Sequence, residues 1–459
     1  SPPSTFRWAE ARRSTAAWFA VYFLAALLPR LSTLVSGTVF ADDLVHLPGG
    51  HLLSYRFLNY IELALWQWVF GPDYLLTIVP KIIAAFYTAG LCSVLRAMLR
   101  AWSGSRSVPA SALALLIPLH PLWNSFISWN VTGVYVLSLL LVAAGYALLE
   151  KHPAAGIVVI ALGISGYQVH VGLLVPLLYA EAVLRKPPLV RRVLQCGAAV
   201  AMYLIATQIA ALAGLQTWGD RGLALQRTLK PITNNLAVIT QPLLAFYGGV
   251  ELAWKYWEVP FLVLALVALT ARPRVFAVAP IVLPTAAAAV LLATNAPATG
   301  PRVAAAIWIA TLLAAIHSRA ATIALAVFTM LLLPVTLVDA ENRTRAWRAD
   351  QAILARVPPG AEVAAVRGGG EPEVPPEWRT RPIVLEPFAV VTPFEYSNIR
   401  VQPEWFFTRY GRKFVPPRPG VPTIDSTTLQ WRSTPTPRAA PPSETPASRT
   451  APTRAAARE

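Results

Sequence analysis

Apolar runs recur from residue 15 to residue 338, and short stretches rich in Arg, Lys, Pro or Gly separate them. A helix needs about 20 apolar residues to cross a hydrocarbon layer of ~30 Å. The pattern therefore predicts an all-α polytopic membrane protein with about eleven transmembrane helices. The first span covers about 15–37, and Pro29 and Arg30 interrupt it near its far side. Residues 51–71 are amphipathic and carry Tyr55, Phe57, Tyr60, Trp66 and Trp68. They predict one or two helices lying in the outer interface rather than crossing it. Span 2 follows at about 75–95. Spans 3 and 4, at about 108–126 and 131–149, form a hairpin whose outer turn holds Trp123, Asn124, Trp129 and Asn130.

Residues 154–184 are too many for one upright helix. Gly163, Gly166, Tyr167 and Gln168 divide the run into two helices that meet on the outer side. Span 7 covers about 193–214, and an outer loop with interfacial helices follows over 215–257. Spans 8 to 11 fall at about 258–271, 275–293, 303–317 and 320–338.

Charge orients this arrangement. Arg7, Arg12 and Arg13 precede the first span, and Arg96, Arg100, Lys151, Arg185, Lys186, Arg191, Arg192, Arg272, Arg274 and Arg319 fall in alternate loops. The positive-inside rule puts those loops and the N-terminus (residues 1–14) in the cytoplasm and the C-terminus outside. In a bacterial cell this is the inner (cytoplasmic) membrane with a periplasmic C-terminus. The net charge of +16 does not imply nucleic acid, because the basic residues sit in these loops and in the tail. Only 14% of residues are charged, against about 25% in soluble domains. No cleavable signal peptide is evident, since the first apolar run is long and lacks a small-residue cleavage site. Ser1 in place of Met implies a trimmed start. Cys92 and Cys196 lie in apolar runs without a spacing motif and predict small buried hydrophobes.

After the transmembrane domain (15–338) the composition changes. Residues 339–432 predict a small mixed or irregular periplasmic region: a helix over 339–357, short strands over 361–367 and 381–391, and aromatics at Trp405, Phe406, Phe407, Tyr410 and Phe414. Residues 433–459 are Pro, Thr, Ala, Ser and Arg, which bury too little apolar surface to fold.

The candidate chemistry lies on the predicted outer side. Asp42 and Asp43, in Phe40-Ala41-Asp42-Asp43-Leu44, follow the first span and precede the interfacial segment. An acidic pair there is an ordinary solvated helix end, or a base poised over a lipid head group. One Asp can accept a sugar hydroxyl proton while the other orients the acceptor or tunes its neighbour. Lys81, early in span 2, either snorkels to the interface or binds a lipid-carrier phosphate. Arg302, in the Gly-Pro-Arg turn before span 10, is an interfacial anchor or a phosphate fork. His46 and Arg56 follow the acidic pair as further substrate contacts, and their spacing matches no strong metal motif. Tyr167 and Gln168 are a helix-to-helix contact or a sugar contact.

These residues resemble a known family. Phe40-Ala41-Asp42-Asp43 with its amphipathic segment, Gly166-Tyr167-Gln168 at an outer turn, and Gly300-Pro301-Arg302-Val303 before a late span resemble the GT-C superfamily of membrane glycosyltransferases. Within it the chain looks most like the bacterial glucosyltransferase (Gtr) family that decorates O-antigen, over about residues 10–350. The resemblance implies transfer of a hexose, glucose in that family, from undecaprenyl phosphate to a lipid-linked or surface glycan on the periplasmic face. It implies Asp42 or Asp43 as base or acceptor-positioning group, Lys81 and Arg302 on the donor phosphate, and no cofactor. The long, proline-rich outer region departs from it, since the family pattern has a short tail there.

Two readings of other classes stand beside this one. A lipid-linked sugar flippase predicts polar groups near mid-bilayer and repeated halves. A noncatalytic scaffold predicts that Asp42 and Asp43 are replaceable.

Overall fold

The computed structural model describes residues 5–37, 57–103, 109–128, 130–185, 188–213, 252–254, 279, 282–283, 286, 301–317, 319–367, 388–390, 397–426 and 428–432. These residues are mostly helical. The helices are α1 (Thr5–Leu27), α2 (Leu31–Val35), α3 (Phe57–Phe70), α4 (Val79–Ser103), α5 (Ala110–Leu119), α6 (Asn124–Ile127), α7 (Gly133–Leu148), α8 (Pro153–Ile164), α9 (Leu174–Arg185), α10 (Leu189–Leu212), α11 (Pro301–Ala314), α12 (Arg319–Leu354), α13 (Asn398–Val401) and α14 (Pro403–Arg409).

Four stretches are long and apolar enough to cross a membrane: Ser14–Val35, Val79–Ser103, Leu189–Ala210 and Arg319–Leu354. A fifth forms if α5 and Pro121–Ile127, bent by 56° at His120, count as one broken span. Among the described residues the number is below the eleven expected from hydropathy, and length accounts for part of the difference. The helices in Gly133–Leu148, Pro153–Ile164 and Ala305–Ala314 are apolar but only 10–17 residues long. Predicted spans 8 and 9 fall almost wholly outside the described residues. The predicted break in the run 154–184 is present: α8 ends at Ile164, a 3₁₀ turn covers Gln168–Leu173, and α9 starts at Leu174. The interfacial segment contains one described helix, α3, whose Tyr60, Ile61, Leu65, Trp68, Val69 and Phe70 are exposed while Leu58 and Glu62 are buried.

Side-chain contacts fix which helix ends lie together. At one end, Lys81 of α4 meets Thr33 of α2, Arg30 meets Pro118 and His120, and Asn124 meets Asp339 of α12. At the other, Arg96 of α4 bonds Ser14 of α1 and Ser111 of α5, Trp102 packs on Tyr146 of α7, and Arg185 of α9 pairs with Glu150. Successive helices therefore alternate in direction. The α7–α8 hairpin is the closest pair. A Cβ on Gly145 would stand 2.7 Å from the Ile160 backbone nitrogen, and one on Gly156 would stand 2.8 Å from the Gly145 carbonyl oxygen. Glycine lets these backbones touch where any side chain would part them.

The 36-residue α12 is about 54 Å long at 1.5 Å per residue, well beyond a ~30 Å hydrocarbon layer. Its apolar stretch ends at Val338, and the charged turns beyond project into the C-terminal region. The region expected as a separate helix over 339–357 is thus the end of this one helix. Ala346, Ile353, Leu354, Val363, Phe406 and Ile424 form a second core there. A four-stranded sheet completes it: β4 (Lys413–Phe414), β2 (Glu362–Val366), β5 (Thr423–Asp425) and β6 (Gln430–Arg432), in that order. Strand β2 runs parallel to β4 and β5, and β6 is antiparallel to β5. A separate antiparallel pair joins β1 (Leu252–Trp254) to β3 (Phe388–Val390).

Arg412 closes the end of α12 by donating to the carbonyls of Leu354 (3.2 Å) and Val357 (2.9 Å). Asp350, beyond the apolar stretch, is fully buried. It accepts from the Ser397 hydroxyl (2.6 Å), the Asn398 backbone N–H (2.7 Å) and Asn398 Nδ2 (3.1 Å). Burial pushes its carboxyl up to about 7, against the opposite pull of these donors. Arg409 pairs with Asp73, tying the C-terminal region to the loop after α3.

Candidate functional site

The candidate site lies at the bundle end that carries Lys81, and it begins with two broken helices. Pro29 has no N–H, so α1 tightens into a 3₁₀ turn over Leu28–Arg30 before α2. Helix α5 ends at His120, whose extended backbone starts a new turn at Pro121, and His120 Nδ1 accepts the Leu122 N–H at 3.1 Å. Such ends leave carbonyls without helical partners. Arg30, fully buried, gathers three of them: Ala26 (3.0 Å), Pro118 (2.9 Å) and His120 (3.1 Å). Arg30 is thus a clamp between the two breaks.

Helix α2 stops at Val35, and the Gly37 N–H turns to Leu34 rather than Thr33. The Thr33 carbonyl instead accepts from Lys81 Nζ at 3.2 Å. Lys81 is fully buried, with its ammonium turned to this carbonyl. Ser128 donates to Thr33 Oγ1 at 3.4 Å, drawing the turn after α6 into the same cluster.

From α12, Asp339 accepts Arg343 Nε at 3.0 Å and Asn124 Nδ2 at 2.6 Å on the same oxygen. Asn124 also donates to the Thr336 carbonyl at 2.9 Å. Arg30, Lys81, Asp339 and Arg343 are all buried at this end.

The Tyr167–Gln168 turn lies at this end too. Gly133, at the start of α7, stands against Ala84, one turn below Lys81. Tyr135 on the same helix packs on Tyr167 with ring centroids 4.8 Å apart, and Tyr167 packs edge-on to His170. The Ser138 hydroxyl donates to the Gly163 carbonyl at 2.6 Å and lies 2.8 Å from His170 Nδ1. A hydroxyl has one proton, so Nδ1 carries the hydrogen of the second bond. Ser165 accepts the Leu58 N–H at 3.2 Å, tying α3 to the turn. Gln168 is buried, and its side-chain nitrogen has no hydrogen-bond partner among the described residues. Helix α11 packs against the Gln168–Leu173 turn.

Of the residues singled out from sequence, Lys81, Tyr167 and Gln168 are brought to one end of the bundle. Asp42, Asp43, His46 and Arg56 lie outside the described residues, as does the loop before α11. Arg302 is in the first turn of α11, and its side chain is outside the description. The residues flanking the 38–56 segment are both at this end, Gly37 after Thr33 and Phe57 before the Leu58–Ser165 bond.

Sequence reading missed Arg30 as a clamp, Asn124 as a ligand of Asp339, and the Ser138–His170 pair. The i,i+4 spacing of Asp339 and Arg343 on a continuous helix was the one available signal. Among the described residues no group of three or more His, Cys, Asp or Glu is placed to hold a metal. Cys92 and Cys196 are buried free thiols. No protein-family model, curated protein or solved structure matches the chain.

Proposed function

We propose that the protein is an integral membrane glycosyltransferase of GT-C type that moves a hexose, glucose by the resemblance of its motifs, from undecaprenyl phosphate to a lipid-linked or surface glycan at the periplasmic face. The observation that carries this reading is the fully buried Lys81, an ionisable group inside an apolar bundle at the end that also holds the Tyr167–Gln168 turn. The residues that flank the segment bearing Asp42 and Asp43 both lie at that end, and α11, whose first residues are Pro301 and Arg302, packs against the Gln168–Leu173 turn.

In this mechanism Asp42 or Asp43 accepts the proton of the acceptor hydroxyl. The hydroxyl oxygen bonds to the anomeric carbon as the bond from that carbon to the phosphate oxygen breaks. The electron pair leaves with the polyprenyl phosphate, whose charge Lys81 and Arg302 offset. The buried Gln168 amide offers a donor to the sugar, and His46 and Arg56 contact substrate. Eleven spans, an N-terminus in the cytoplasm and a C-terminus in the periplasm belong to the same proposal.

The test is transfer from polyprenyl-phosphate-hexose by protein in proteoliposomes. Asp42→Asn and Asp43→Asn are expected to insert normally, and at least one to abolish transfer. Full transfer by both variants would remove the catalytic assignment. A flippase in its place would move the lipid-linked sugar between leaflets without forming a glycosidic bond.

A further inference from the structure

At the end of the bundle opposite Lys81, a charged cavity opens directly into an apolar groove. The cavity, of about 310 Å³, is lined by Glu150, Glu181, Arg185, Arg191, Arg192 and Gln195 among others. The groove, of about 580 Å³, runs along α8 and α10 past Ile157, Val190, Leu194 and Ala198. Pro188, Arg191 and Gln195 line both.

Most of the charge in the cavity is already committed. Arg185 holds Glu150 through two bonds of 2.5 and 2.6 Å. Arg192 donates to Glu181 Oε1 at 3.0 Å, and the Tyr146 hydroxyl donates to Oε2 at 2.7 Å. Both carboxylates are therefore occupied, and they fix the walls. Arg191 differs. It is exposed at the junction of cavity and groove and makes no hydrogen bond or ion pair among the described residues. Beside it, the Gln195 side-chain oxygen is buried with no hydrogen-bond partner among the described residues. A cation and an orphaned acceptor thus sit where a polar cavity meets an apolar channel.

From this juxtaposition we infer that the α8–α10 groove is a binding site for an anionic phospholipid. The Arg191 guanidinium takes the phosphate, the Gln195 oxygen accepts from a head-group hydroxyl, and one acyl chain lies along Ile157, Leu194 and Ala198. Phosphatidylglycerol has both the negative phosphate and the hydroxyl donors this arrangement needs. Basic pockets between transmembrane helices are a recurrent way to hold such head groups. The site lies away from the proposed transfer centre and does not rest on the transferase reading.

Native mass spectrometry of the full chain released from nanodiscs of equal phosphatidylglycerol and phosphatidylcholine tests this. Wild type is expected to retain one phosphatidylglycerol. Arg191→Ala, a change on an exposed first turn, is expected to lower that retention at least five-fold and leave phosphatidylcholine unchanged. Arg319→Ala removes a cation at the same end that does not line the cavity, and it is expected to behave as wild type. Leu194→Ser is expected to weaken retention through the groove. Glycerol phosphate without acyl chains is expected not to displace the lipid at millimolar concentration. Equal retention by Arg191→Ala and wild type, an equal loss in Arg319→Ala, or full displacement by glycerol phosphate would each overturn the site. These outcomes mean annular lipid, bulk charge attraction, and a free-phosphate site, respectively.

Discussion

Lys81 Nζ donates to the Thr33 carbonyl at 3.2 Å, joining α4 to α2 between residues 48 positions apart in the chain. A structural lysine and a phosphate ligand differ in what they lose on mutation. Lys81→Met is expected to weaken binding of polyprenyl-phosphate-hexose by about tenfold or more, the scale of one hydrogen bond to a charged group (~1.5 kcal/mol). Binding by fluorescence or calorimetry in detergent checks it. Unchanged affinity, with a lowered Tm alone, would confine Lys81 to holding the helices.

Asp339 pairs with Arg343 inside the bundle at that end, and both are buried. Asp339→Asn leaves Arg343 beside a neutral amide in a buried setting. The expected cost is about 3 kcal/mol, because a buried pair broken on one side strands the other charge. Asp339→Asn with Arg343→Met is expected to recover most of the loss. Thermal unfolding of the three variants in one detergent reads the cycle, and additive effects would show that the pair is not coupled.

Three glycines separate packing from propensity. Gly145→Ala and Gly156→Ala force backbone atoms apart in the α7–α8 hairpin and are each expected to destabilise by about 2 kcal/mol. Gly197, in α10, has open space where its Cβ would go, and Gly197→Ala is expected to be neutral or stabilising by up to ~1 kcal/mol. A lowered Tm for Gly197→Ala equal to the others would refute the distinction.

Asp350 gives the C-terminal region a pH dependence of known sign. Its carboxyl keeps its proton to about pH 7 in the folded chain, whereas an ordinary Asp loses it near 3.9. Between these values the folded state binds more protons than the unfolded one. Stability therefore falls as pH rises through that window and levels off above it. Asp350→Asn is expected to flatten this part of the profile. Unfolding of wild type and variant from pH 5 to pH 8 measures it, and parallel profiles would contradict it.

The sequence pattern located the helices more reliably than the spans. Turn residues around Tyr167–Gln168 marked a real break, because Gly163 and Gly166 allow Val142, Ser138 and Leu58 to approach closely there. Hydropathy counts more crossings than there are long apolar helices among the described residues, because it weighs composition, not unbroken length: α5 is cut short at His120 and α8 is 12 residues long. Within the site, Lys81 was visible as an ionisable residue in an apolar run. Its burial was not, since the carbonyl that receives it depends on where α2 stops. Arg30 read as an interruption because its partners, Pro118 and His120, lie 88 and 90 residues away. Asp339 read as the start of a solvated helix, whereas it lies in a buried turn partway along a longer one.

That longer helix joins both parts of the molecule and carries no proline after Pro334. It carries Asp339 among the buried charges and, eleven positions on, Asp350 in the core of the C-terminal region. A load applied to the C-terminal region is therefore delivered along continuous helix into the charged end of the bundle.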